Sequence, residues 1–496
     1  MTQHFPALLI IIPLLSALIV SAMGWIDRRW CFPLAVASLA GALAVSVGLC
    51  AQVMAAGPIV YKMAGWRPPI GIVYVIDYLN APVLVVILAV ALLNLISAKT
   101  WIERDFAEKL SAYLALYLMF LSGMVGIVAT GDAFNLYVLL EIGSLTGYAL
   151  IGLGKERAPL SSLNYLFMGT IGASFYLLGI GYIYIATGTL NMADIATMMP
   201  KLAGSGTLFL ALVICMAGLF VKMALFPLHG WLPNAYSNAP SASAGLIAPL
   251  TTKVMIYAMV RVGLTVFTPE FTFSRALLSE AIVWLAVAAI VTGSLLALMQ
   301  RRLSRMLTYI IVAEVGYMVG GFWLGNKAGV TGATLHIIND AAMTLTLFMA
   351  VSAIVWKLGS DRFEDLQGLF GKMPFTMTGF VLAALAVIGI PPTCGFFSKW
   401  YLISGGIDAG QWGFVAALLF SSLVNAVLFF RIFEIAFFEP FAEGHGHHDH
   451  GPAMSEAPVT MVVPLILAAL SLIALGLYTG DIVTKLIQLA IPAGIA

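Results

Sequence analysis

Residues Lys222 to Pro240 read KMALFPLHGWLPNAYSNAP, and this stretch decides the fold. The lysine sits in an apolar run, Leu208 to Phe226; Pro227 follows five residues after it, then His229 and Trp231-Leu232-Pro233. Proline has no amide N–H and clashes with the preceding turn, so the helix breaks here. In lipid, freed backbone is tolerated only where protein or a water-filled cavity covers it. A lysine beside such a break therefore belongs next to an interior polar path, of the kind an ion or proton uses.

The rest of the chain agrees. Its 496 residues are 61% hydrophobic and only 9% charged, and the mean hydropathy is +1.01. Apolar runs long enough to span a bilayer recur throughout. The chain is expected to be an all-α polytopic membrane protein. Hydropathy places about fourteen spans, near 5–24, 31–55, 73–98, 109–129, 131–153, 161–187, 205–227, 241–267, 279–299, 305–325, 330–356, 375–403, 411–437 and 460–486. Phe5 to Gly24 lacks the basic flank and cleavage site of a signal peptide and is kept as the first span. The turn-rich Gly65 to Gly71, followed by the β-prone Ile72 to Ile76, predicts a short hairpin. A net charge of +1 points to no nucleic-acid partner. The cysteines Cys31, Cys50, Cys215 and Cys394 lack metal or redox spacing and read as small core residues.

Two halves emerge. One helix breaks at Pro227, after Lys222; another breaks at Pro391-Pro392, before Lys399. Paired broken helices point to two inverted five-helix repeats. The expected division is an N-terminal three-helix segment at 1–108, half-channels at 109–268 and 279–437, and a His-rich loop with a final helix at 438–496. That loop contains HGHHDHG, read as a solvated connector in preference to a metal site. Arg28, Arg29, Lys99, Arg301, Arg302 and Lys372 fall on the side richer in Lys and Arg, which is expected to be cytoplasmic. An even number of spans then leaves both termini outside.

A charge at mid-membrane costs about 2.5–3.5 kcal/mol on insertion scales, so each one is a functional candidate. Glu141 sits mid-span and is expected to pair with a lysine. Burial and a neighbouring carboxylate act oppositely on a lysine, so one whose partner moves can take up and release a proton. Lys222, Lys253 and Lys399 are the candidate lysines, Lys222 and Lys399 against the simpler possibility of snorkelling to the interface. His336, Asp340 and Thr344 share one helix face at i, i+4 and i+8. Glu314 is another carboxylate within a span, and His229 lies in the first break. Asp132, at a span junction, reads as a helix cap. No phosphate loop, dinucleotide fingerprint, zinc-protease helix, serine elbow or haem-attachment motif occurs, so no cofactor, metal or bond-making chemistry is expected.

Four stretches, GDAFNLYVLLEIGSLTGYALIG, KMALFPLHGWLPNAYSNAPSASAGLIAPLTTKVMIYAMVR, EDLQGLFGKMP and GIPPTCGFFSKW, carry a family resemblance spanning roughly 65–439. The chain resembles the proton-conducting membrane transporters. These comprise the large subunits of Mrp-type Na⁺(or K⁺)/H⁺ antiporters and the antiporter-like subunits of respiratory complex I and membrane-bound hydrogenases. The resemblance implies fourteen helices, two of them broken. By it, Glu141 and Lys222 match the family's glutamate–lysine pair, Lys253 its central lysine, and Lys399 the terminal lysine of the second half. Lys399 and the length fit the D-type large subunit of Mrp antiporters best, with a complex I-like or hydrogenase-linked type behind it. The eleventh helix departs from the family: His, His, Lys at four-residue spacing is here His336, Asp340, Thr344, and Glu314 replaces a glutamine or histidine.

The expected function is a proton-translocating subunit of a multi-subunit monovalent cation/proton antiporter in a bacterial or archaeal cytoplasmic membrane. Its partners would be other hydrophobic subunits, lipid, H⁺ and Na⁺ or K⁺. The competing expectations are a proton-pumping subunit of a redox complex and a scaffold with a degenerate channel.

Overall fold

The computed structural model describes residues 4–438, 455–492 and 494–495. The HGHHDHG loop lies outside the described residues. The chain opens with α1 (Phe5–Ile26) and α2 (Cys31–Ala56). An antiparallel hairpin follows, β1 (Ile59–Lys62) on β2 (Val73–Ile76), with Ile59 opposite Ile76 and Lys62 opposite Val73. The hairpin is therefore present, with Gly65 to Gly71 in its connection. It also shortens the third expected span, which was placed from residue 73. Val73–Ile76 are extended, and the helix α3 (Ala81–Ser97) begins only after Asp77 and Asn80. Asp77 Oδ1 takes the Leu79 and Asn80 amides at 3.0 and 3.1 Å and so organises this turn.

A short α4 (Lys99–Asp105), bent 57° from α3, leads to α5 (Leu110–Ala129), α6 (Ala133–Gly152) and α7 (Ala158–Thr187). After a short α8 (Met192–Met198) come α9 (Gly206–Met223), α10 (Leu232–Asn238) and α11 (Ser241–Arg261). A connector, α12 (Thr268–Thr272), precedes α13 (Ala276–Leu298), α14 (Leu303–Trp323) and the long α15 (Lys327–Leu358). The short α16 (Leu369–Lys372) precedes α17 (Pro374–Ile388), α18 (Cys394–Asp408), α19 (Trp412–Phe438) and α20 (Val459–Leu477). Twelve of the described helices are long and apolar enough to cross a membrane, and the bent α3–α4 pair makes a thirteenth. The difference from about fourteen lies at the expected span 375–403. The break at Gly389–Thr393 divides it into α17 and α18, of 15 residues each, too short to count singly.

The packing order repeats. α5 packs on α6 as α13 packs on α14, α6 on α7 as α14 on α15, and α7 on α9 as α15 on α17. The outer helices present Leu18, Phe167, Leu423 and Leu467 outward, as lipid-facing surfaces do. The inner ones are different: every residue from Ala242 to Arg261 of α11 is buried, as is Gly329 to Val351 of α15. Where α7 crosses α9, a Cβ at Gly172 would lie 2.8 Å from the Gly218 carbonyl. Glycine there lets the two backbones approach, the small-residue contact by which helices associate in lipid.

Candidate functional site

The first part of the site is set by helix ends. Asp132 caps α6 by accepting the Asn135 amide at 2.7 Å, the cap role read from its junction position. Two and a half turns later α6 presents Glu141. α9 stops at Met223 because Ala224 takes a left-handed conformation, φ 61°, so the break begins three residues before Pro227. Lys222, in the last turn of α9, places Nζ 3.2 Å from Glu141 Oε1 and donates to Ser144 Oγ at 2.7 Å. The lysine is 2% exposed and the glutamate 24%, so one end of the pair is sealed and the other reaches towards the surface. The indole of Trp231 donates to the Val221 carbonyl at 3.1 Å and stacks on Tyr165 with ring centroids 4.0 Å apart. That carbonyl, which also accepts the Ala224 amide at 3.2 Å, is thereby satisfied within the protein at the break.

The central part joins α11 to α15. Lys253 lies four residues after Pro249, which sits inside α11 and removes one ladder hydrogen bond. Its Nζ is 2.9 Å from Asp340 Oδ2 and donates to Thr344 Oγ1 at 3.2 Å. Thr344 in turn donates to Asp340 Oδ1 at 2.8 Å. The three groups close a ring, with the threonine holding the carboxylate's second oxygen. Asp340, where the family resemblance led us to expect a base, thus serves as counter-ion to the central lysine. One turn along α15, His336 Nδ1 lies 2.8 Å from Ser398 Oγ, and its ring meets Tyr317 edge-on.

The third part lies at the second break. α17 ends at Ile388, and Gly389 has φ 93°. Lys399 Nζ donates to the Val387 carbonyl at 2.7 Å, to Ile388 at 3.3 Å and to Ser422 Oγ at 3.0 Å. Lys222 precedes its break, whereas Lys399 follows its own, so the two lysines meet their breaks from opposite sides. Glu314, buried on α14, faces Asp340. A polar cavity of about 540 Å³, lined by Tyr236, Ser241, Arg302, Phe348, Ser352 and Asp361, opens between α10–α11 and α15. Phe348 lies one turn beyond Thr344, so the cavity approaches the central ring from the Arg302 side.

The structure therefore brings Glu141 to Lys222, Lys253 to Asp340 and Thr344, and Glu314 to the same central group. His229 is not joined by a hydrogen bond to any of them among the described residues. Its ring packs on Phe226 at 5.3 Å in the first break. Ser144, Ser398, Ser422 and Tyr317 were missed in the sequence. Spacing offered a signal for two of them: Ser144 is three residues after Glu141, on its face of α6, and Ser398 adjoins Lys399. Outside the spans, Asp77 Oδ2 and Oδ1 lie 2.6 and 2.8 Å from Arg261 Nη1 and Nη2, tying the hairpin to the end of α11. Burial pushes the Asp77 carboxyl up, but Arg261 and the Asn80 and Leu79 amides together hold it below the usual carboxylate range. Among the described residues no cluster of three or more His, Cys, Asp or Glu is placed to hold a metal ion.

Residues 130–425 match a protein-family model described as NADH:quinone oxidoreductase/Mrp antiporter, TM. NADH-quinone oxidoreductase subunit N of Desulforudis audaxviator is 41% identical, over 99% of each chain. The D-type subunit of the Na(+)/H(+) antiporter of Alkalihalophilus pseudofirmus is 33% identical, over 81% of this chain and 80% of that one. Among solved structures, a chain of the membrane-bound sulfane sulfur reductase, an archaeal respiratory membrane complex, superposes with a TM-score of 0.89 at 30% identity. It covers 98% of this chain and 96% of that one.

Proposed function

This chain belongs to the NADH:quinone oxidoreductase/Mrp antiporter family, and on that premise we propose that it is the proton-translocating subunit of a multi-subunit monovalent cation/proton antiporter. The observation that carries this is a line of two acid–lysine pairs that continues into a buried histidine and a third lysine. It runs from Glu141–Lys222 in the first half, through Lys253–Asp340 between the halves, to His336 and Lys399 in the second. Isolated charges are costly in a bilayer, and pairs at helix breaks mark proton and ion pathways.

Proton movement follows from pair exchange. When the Glu141 contact opens, Lys222 keeps only Ser144 and gives up its proton more readily. The proton then reaches the Lys253–Asp340–Thr344 ring and passes along α15 towards Lys399. The cavity beside Phe348 supplies water to the central ring, and Glu141 supplies access at the first pair. A charge crossing 100 mV exchanges about 2.3 kcal/mol, so a partner subunit or an ion gradient must set the direction. The two groups of helices act as half-channels, with the Arg302 side facing the cytoplasm and both termini outside.

Lys222→Ala in the complete complex, reconstituted in liposomes, is expected to abolish proton-coupled cation exchange. Unchanged exchange would remove the basis of the assignment. A second reading, a proton-pumping subunit of a redox-driven complex, is favoured by the full-length match to a quinone oxidoreductase subunit. Subunit composition of the purified complex separates the two: Fe–S or NiFe partners select the redox reading.

A further inference from the structure

The second half contains a lysine and an acid that lack each other. Lys399 is docked on the Val387 and Ile388 carbonyls and on Ser422, with no carboxylate in ion-pair contact among the described residues. Those carbonyls are open because α17 stops at Gly389. A Cβ at residue 389 would come within 3.2 Å of Lys399 Cδ, and the φ of 93° already favours glycine. The dock thus depends on both the break and the missing side chain. Glu314 is 1% exposed, and its carboxyl meets Asp340, a second acid, rather than a lysine. Two carboxyls in contact repel each other when both are charged, so a cation that can reach Glu314 is favoured there.

Tyr317 lies beside Lys399 on the helix that carries Glu314. It follows Glu314 by three residues and so shares its face of α14. Lys399 Nζ lies 5.2 Å from its ring centroid, within reach of the ring's negative face. Its hydroxyl donates to Ser421 Oγ, which fixes the ring plane. Glu314 and Asp340 are the carboxyls whose charge reaches Lys399. In the first half the corresponding contact is already closed: Glu141, on the packing-equivalent helix α6, touches Lys222.

We propose that Glu314 is the exchange partner of Lys399, and that the Tyr317 ring is the face along which the ammonium moves between its carbonyl dock and that carboxyl. This rests on the proton-translocating function proposed above. At the carboxylate, one N–H bond of the ammonium breaks and one O–H bond forms at Glu314 Oε1, leaving a neutral amine and a neutral acid. The return runs in reverse. The charged groups facing this step are Asp340 on α15 and Lys253 on α11, with His336 of α15 facing Lys399.

The test is proton flux against pH in liposomes carrying the complete complex. Glu314→Gln is expected to lower flux about tenfold or more and to change the pH profile; Glu314→Asp restores part of it. Tyr317→Phe keeps the ring and stays close to the unaltered rate, while Tyr317→Leu falls towards Glu314→Gln. Infrared difference spectra lose a carboxylic-acid carbonyl band in Glu314→Gln. Unaltered flux and profile in Glu314→Gln overturn the exchange role, and unaltered flux in Tyr317→Leu overturns the track. Should Glu314→Gln prevent assembly, the Glu314→Asp and Tyr317 variants decide. Lys222→Ala in the same preparations separates failures: its loss beside an unaffected Glu314→Gln rejects only this inference, whereas no effect in either also rejects the proposed function.

Discussion

Asp340→Asn removes the charge from a pair that sits wholly inside the protein. The carboxylate is 0% exposed, 2.9 Å from Lys253 Nζ through one oxygen and 2.8 Å from Thr344 Oγ1 through the other. Asparagine keeps one acceptor and replaces the other with an NH₂ donor, which opposes either the ammonium or the threonine proton. Taking one partner from a buried ion pair costs about 3–5 kcal/mol, because the remaining charge is left uncompensated. At about 1.4 kcal/mol per tenfold, the paired arrangement loses two to three powers of ten in population or more. Proton flux in liposomes, followed with a pH-sensitive dye, is therefore expected to fall at least about a hundredfold. Thermal stability of the purified complex should drop with it. Lys253→Met alone should also destabilise, through the orphaned aspartate. The double variant leaves no unpaired charge, so it should regain stability without regaining flux. Wild-type flux and pH optimum in an intact Asp340→Asn complex would refute this reasoning. So would a double variant whose loss of stability is the sum of the singles.

Other perturbations follow from the same geometry. Glu141→Gln should slow transport less than Lys222→Ala, since Ser144 still holds the lysine at 2.7 Å; Ser144→Ala, losing a hydrogen bond to a charged group worth about 1.5–3 kcal/mol, should deepen the Glu141→Gln defect when flux is measured in the double variant. Asp77 is held below its usual range when folded, so its contribution is present above the unfolded carboxylate value and is lost as pH falls through the folded one. Thermal unfolding from pH 7 down to about pH 2 should show that acid-side loss, and Asp77→Asn should lower stability at pH 7 and flatten the profile. Gly172→Leu forces side-chain volume between α7 and α9 beside the Lys222 stem, so thermal unfolding should register a loss of about 1–3 kcal/mol or more.

Much of the site was legible in the chain because lipid makes charge conspicuous. Glu141 and Lys222 stood out in apolar runs, and they do pair. The break at Pro227 was readable from a missing N–H, although the helix ends earlier, at Ala224, where backbone handedness changes. The third span was read too long because Val73 to Ile76 is as apolar as a helix would need. Its β-propensity was readable too, and the pairing with Ile59 to Lys62 decides for the strand. Asp340 was legible as a departure from the family pattern, but its role was not. Lys253 and Asp340 are far apart in sequence, and nothing in the spacing of either helix says that α11 crosses α15 at that height.

Composition and proline placement by themselves determined a helical membrane protein with broken helices and buried lysines and acids. Those features follow from local rules: the cost of charge in hydrocarbon and the amide that proline lacks. Which acid meets which lysine was decided only by the tertiary structure. Hydrogen bonds and ion pairs form within about 3 Å, and that proximity comes from helix crossings that no local pattern encodes. Hence Lys253 takes Asp340, while Lys399 settles on the carbonyls of its own broken helix and leaves Glu314 against Asp340.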